Sequence, residues 1–140
     1  MEKIKKYALT ISIALFLISL TQKAYCTPNN CGDSIVILLI GWFGAMMGGA
    51  ALTWVANPLI FASWWLTKKH SRTAIYTSLF AFVICLSFLL FGSISDNENG
   101  TQNAIISYEL GYWLWCASAL TLVIGNALLH SPRFKESSRA

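Results

Sequence analysis

Cys26 and Cys31 enclose the four residues TPNN, and they are the pair whose type and spacing most directly suggest chemistry. Pro28, Asn29 and Asn30 are turn formers that can reverse the chain and bring the two sulfurs together, so an oxidising compartment would close a disulfide there. Cys85 and Cys116 lie inside long apolar runs, where a neutral thiol behaves as a small hydrophobe. Met46 and Met47 have no third soft ligand spaced with them and read as flexible gap fillers rather than metal ligands. Glu109 borders an apolar run, where a carboxylate suits the start of a helix. The sequence contains no HExxH, no phosphate-binding glycine loop followed by lysine, and no pair of acids within the apolar runs. It therefore predicts no catalytic residues, no cofactor and no metal site.

The elements that would carry these residues are set by composition. Of the 140 residues, 56% are hydrophobic and 11% are charged, well below the roughly 25% charged residues of a soluble domain. The apolar residues fall in uncharged blocks at 7–22, 34–66, 73–95 and 110–129. Three of these are long enough to cross a hydrocarbon layer, which takes about 20 helical residues. The expectation is an all-α integral membrane protein, a single domain over 1–140 built as a small bundle of four transmembrane helices. The first block, 7–22, has the basic start and short apolar stretch of a secretory leader as well as the length of a marginal span. The bundle has three helices if that segment is cleaved. Residues 74–94 and 109–129 read as plain spans, joined by the polar turn SDNENGTQN.

Charge orients the bundle. Lys3, Lys5, Lys6, Lys68, Lys69, Arg72, Arg133, Lys135 and Arg139 occupy the two termini and the 67–72 loop with only Glu2 and Glu136 among them, a net +7. The other two connections hold Lys23 against Asp33, Asp96, Glu98 and Glu109, a net −3. The positive-inside rule places both termini, before any cleavage, in the cytoplasm, and the cysteine loop outside, as expected of a bacterial inner-membrane protein. The basic residues form no stripe interleaved with aromatics, so no nucleic-acid partner is expected.

The block 34–66 is too long for one crossing, since a straight helix of that length would measure about 50 Å against a hydrocarbon core of about 30 Å. Asn57 and Pro58 supply a helix break, because proline lacks an N–H and restricts the residue before it. The second span then covers 35–55, and 58–66 forms a short interfacial segment at the cytoplasmic surface. Trp64 and Trp65 beside Lys68 and Lys69 would anchor it, as Trp113 and Trp115 would anchor the fourth span at the other surface. Gly41, Gly44 and Gly48, with Ala45 and Gly49 beside them, recur at three and four residues and form a small-residue face suited to close helix contact.

In size and expected topology the chain resembles the four-helix disulfide-generating thiol oxidoreductases of membranes. That resemblance implies a closely spaced CxxC and a second cysteine pair in the other outer loop. Here the spacing is wider and residues 96–107 contain no cysteine, so no enzyme is predicted. The expectation is a small non-enzymatic inner-membrane protein that acts through helix contacts, as an accessory or stabilising subunit of a membrane complex. Two alternatives share the same residues: an immunity-type protein against a membrane-active toxin, and a component of a small transporter or channel. The expected partners are the bilayer and either another membrane protein or further copies of the chain.

Overall fold

The apolar runs do become helices, although not all where the spacing places them. A computed structural model describes residues 1–69, 71–95 and 99–131. Asp96, Glu98 and the basic residues Arg133, Lys135 and Arg139, used above to orient the chain, lie outside the described residues. Five α-helices and five short strands follow in the order α1 (Glu2–Leu20), β1 (Lys23–Cys26), β2 (Cys31–Asp33), α2 (Ser34–Met47), α3 (Ala56–Lys69), α4 (Ser71–Ser87), β3 (Ser93–Ser95), β4 (Gln102–Ala104), β5 (Ser107–Tyr108) and α5 (Leu110–His130). A 3₁₀ segment, Gly49–Val55, leads from α2 to α3, and a 3₁₀ turn, Phe88–Leu90, extends α4. The architecture is thus mostly helical rather than all-α. Two helical stretches, Arg72–Leu90 and Leu110–His130, are long and apolar enough to cross a membrane, with mean hydropathies of 2.1 and 1.5.

Four helices make the bundle. At one end, Trp115 in the early part of α5 donates to Asn57 in the first turn of α3, and the Tyr112 hydroxyl donates to the carbonyl of Cys85 near the end of α4. At the other end, the carboxamide of Asn126 accepts from Thr67 of α3 at 3.1 Å and donates to α4 at Ala74 O and Ser78 Oγ, both at 3.4 Å. α3 and α5 therefore run one way, and α4 runs against both. α1 also runs against α5, because Ser12 meets Ser118 while Ala8 meets Gly125.

The α1–α5 seam is the closest in the bundle. A Cβ at Gly125 would collide with the Ala8 methyl, so the two backbones approach as small residues allow in apolar surroundings. Ser12 and Ser118, both fully buried, exchange hydrogen bonds. Each hydroxyl donates to the other's carbonyl, at 3.0 and 2.8 Å, and the indole N–H of Trp64 adds a third bond to Ser12 Oγ at 2.9 Å. α1 thus begins at Glu2, with its lysines inside the helix, and its middle is tied to two other helices.

Strands cap the end of the bundle where α1 finishes. β1 is central in the order β2-β1-β5, antiparallel to both neighbours, with Cys26 opposite Cys31 on one side and opposite Ser107 on the other. β3 and β4 form a separate hairpin. Beneath the sheet Tyr25, Phe88, Tyr108 and Tyr112 pack ring against ring, with centroids 5.3 to 5.7 Å apart, and carry the core from the strands into the bundle. α5 stops at Ser131, whose extended backbone suits the residue before Pro132.

The long block 34–66 departs most from expectation. α2 ends at Met47 and the chain reverses at Gly48 and Gly49, both at positive φ (85° and 64°). The segment 35–55 is therefore a helix and a 3₁₀ segment folded against each other, not one span. The break is at the glycines because their backbone conformation is one that residues with a Cβ rarely adopt. Asn57 and Pro58 instead open α3, where proline in the first turn is tolerated. Residues 58–66 are not a separate interfacial piece. They lie within the 14-residue α3, and Ile60 and Ser63 are completely buried among the other helices.

Candidate functional site

The hairpin of α2 and the 3₁₀ segment is the part of the fold left over once the bundle is closed. Its two arms are held together by the small residues of α2. Gly44 faces Ala51, and a Cβ at Gly41 would run into the Trp54 ring, whose N–H donates to the carbonyl of Leu38 at 3.1 Å. The expected contact face is thus divided. Gly41 and Gly44 meet the chain's own 3₁₀ segment, Ala45 is half-buried beside them, and Gly48 and Gly49 form the bend, where a Cβ would meet nothing within 4 Å.

Both ends of α2 lie at the strand end of the bundle. Ser34 packs its hydroxyl against Gly111, and Met47 Cε lies beside Gly100, near the β3–β4 hairpin. Along its length, SIVILLIGWFGAMM carries no charge, yet none of its 14 residues is buried. Leu39, Phe43 and Met46 are 66%, 59% and 80% exposed, although they are among the most apolar side chains of the protein. An uncharged helix with no buried residue needs an apolar covering that the rest of the described chain does not provide.

Between this hairpin and the bundle lies a cavity of about 980 Å³. Its walls come from α2, the 3₁₀ segment, the end of α1 at Phe16 and Leu20, and α5 at Tyr112 and Trp115, with Asn57 at the start of α3 among them. Asn57 is 6% exposed, and its carbonyl oxygen accepts from Trp115 Nε1 at 2.9 Å.

The four tryptophans expected as interfacial anchors separate into two pairs. Trp64 and Trp115 turn their N–H groups inward, to Ser12 and Asn57. Trp65 and Trp113 are about half exposed, and the Lys69 ammonium sits 4.7 Å above the Trp65 ring, an arrangement suited to a membrane surface. Cys26 and Cys31 form a disulfide, reinforced by the cross-strand ion pair of Lys23 and Asp33 at 2.5 Å. Glu109 precedes α5, as its position in sequence suggests, and accepts from Ser107 Oγ at 2.6 Å. Cys85 and Cys116, set apart by 31 positions in sequence, face one another as free buried thiols between α4 and α5. Among the described residues no three of His, Cys, Asp and Glu gather as a metal site.

Sequence reasoning missed Ser12, Ser118 and the cavity. The serines sit in apolar runs, where a hydroxyl can always bond its own helix, and only the opposing helix reveals their pairing. The GlyGly dipeptide at 48–49 was the available signal for the hairpin, since paired glycines punctuate chains as readily as they line helix contacts. Neither protein-family models nor curated proteins nor solved structures yield a match to this chain.

Proposed function

We propose that this chain is a small non-enzymatic membrane protein that works by contact, with α2 as the surface offered to another membrane protein of a larger complex. The observation that carries the reading is an uncharged apolar helix without a single buried residue, held beside a bundle whose own seams are closed. The bundle α1, α3, α4 and α5 crosses the bilayer of a bacterial inner membrane, with both termini in the cytoplasm. The lysines at the start of α1 and at the end of α3 mark the cytoplasmic side. The strand end, with its disulfide, then faces the oxidising side, and α2 lies at the outer leaflet. Because Gly41 and Gly44 already meet Trp54 and Ala51, the partner meets the large residues of α2, Leu39, Phe43 and Met46.

Photo-crosslinking in native membranes tests this. A photoreactive amino acid at Leu39, Phe43 or Met46 should yield the same discrete protein adduct, while Phe80 and Val83, exposed on α4, should yield lipid adducts alone. Lipid adducts alone from all five positions would sink the proposal.

A further inference from the structure

The cavity behind α2 carries a hydrogen-bond donor with nothing to bond. Trp115 fixes the orientation of the Asn57 carboxamide by donating to its oxygen, which leaves Nδ2 as the free end. Among the described residues Nδ2 makes no hydrogen bond, although Asn57 is nine-tenths buried and lines the cavity. With its oxygen held by Trp115 and the rest of the residue buried, the amide NH2 is the part of Asn57 left to meet whatever occupies this space. The volume of about 980 Å³ lies at the upper end of the roughly 300–1,000 Å³ of pockets that enclose small molecules.

We propose that this cavity binds an uncharged lipid with a long apolar chain, one of whose ester carbonyls accepts a hydrogen bond from Asn57 Nδ2. Phe16, Leu20, Ile37 and Leu38, with Val36 and Ile40 at the rim, provide the apolar wall, which a chain would cover and a polar solute would not. The charge of the ligand follows from the lining. Among the described residues Asp33 is the one carboxylate on it and is already paired with Lys23, and no lysine or arginine lines the space. An anionic headgroup would find no counter-ion among the described residues of that lining. This inference rests on the hairpin lying at the membrane but does not require a protein partner on the outer face of α2, so either proposal can fail without the other.

The test uses the full chain in phosphatidylcholine nanodiscs with a dioleoylglycerol analogue carrying a photoreactive group on one acyl chain. Label should appear on peptides from α2 and the start of α3, and should be competed by unlabelled dioleoylglycerol but not by anionic dioleoylphosphatidylglycerol. Asn57→Leu removes the donor and should lower that labelling about threefold to tenfold, the range of one hydrogen bond. Val36→Trp fills the space without touching Asn57 and should lower it comparably, while Phe80→Trp on the outward face of α4 should leave it unchanged. In every variant the Cys26–Cys31 pair should stay closed to maleimide, as a check of folding. Labelling spread over the outward faces of α4 and α5, or labelling at α2 that neither Asn57→Leu nor Val36→Trp reduces, would overturn the site. So would a folded wild-type protein that takes up no label and holds only water.

Discussion

The α1–α5 seam and the α2 hairpin both use small residues in apolar segments, and they use them for opposite ends. At the seam, Ala8, Ser12, Ser118 and Gly125 bring two distant helices close enough for reciprocal hydroxyl bonds. In the hairpin, Gly41 and Gly44 let a helix fold onto the segment that follows it, and the large apolar residues are left facing outward. Small-residue spacing thus tells that a backbone will approach, not which one. A seam far apart in sequence stabilises the whole molecule, whereas a local fold-back shapes one surface of it.

The difference should be largest on substitution at the seam. Gly125→Leu places a branched side chain where the Ala8 methyl already sits, and overpacking costs about 1–3 kcal/mol and occasionally more, with the upper end expected where two backbones meet. The midpoint of unfolding in mixed detergent should fall sharply, and α1 should detach from α5, which proteolysis within residues 2–20 would report. Unchanged resistance would mean that α1 is not part of the bundle. The same seam bears on the leader reading of 7–22, because removal of that segment would expose Ser118 and Gly125.

A middle effect is expected at Ser12. Ser12→Ala leaves the Trp64 N–H without its acceptor and removes the bond to the Ser118 carbonyl, while the Ser118 hydroxyl keeps the Ser12 carbonyl, so a loss of about 1–2 kcal/mol is expected. Ser118→Val should cost a similar amount, and the double variant less than the sum, because the contact between the two hydroxyls is lost in either single variant. Strict additivity in denaturation experiments would show that the two hydroxyls are not coupled.

Which parts of the molecule were legible in the sequence follows the same division. Helical, membrane-compatible character is written in uncharged runs, and the Cys26–Cys31 bond in a five-residue separation spanned by turn formers, because both depend on local chain alone. Asn126 could be read as reaching a neighbouring helix, since a carboxamide one turn from a helix end has few other uses, and it does bond Thr67. The fold-back at Gly48 was not legible, because glycine serves both tight packing and positive φ, and the spacing of Gly41, Gly44 and Gly48 satisfies the first so well that it conceals the second. Asn57 and Pro58 carry a strong break signal, yet proline marks the start of a helix as readily as the end of one. The cavity and the pairing of Ser12 with Ser118 depend on helices far apart in sequence, and no local pattern encodes which two will meet.

The smallest effect on global stability is expected where the hairpin turns. Gly48 has φ 85° and ψ −162°, a region essentially reserved for glycine, where a residue with a Cβ costs about 1–3 kcal/mol. A Cβ there meets nothing within 4 Å, so Gly48→Ala strains the turn without touching the bundle, and the chain can relieve that strain by opening α2 away from the 3₁₀ segment. Hydrogen exchange should therefore quicken over residues 36–55 while α1, α4 and α5 keep their protection and the unfolding midpoint scarcely moves. Gly44→Ala supplies the contrast within the same helix. Its backbone is helical, and the new methyl would lie 3.2 Å from the Ala51 Cβ, a crowding that a small shift of the hairpin arms can absorb, so exchange over the same residues should change much less. If Gly44→Ala opens the hairpin as far as Gly48→Ala does, close packing between the arms governs this region, and the contrast drawn between the hairpin and the α1–α5 seam fails.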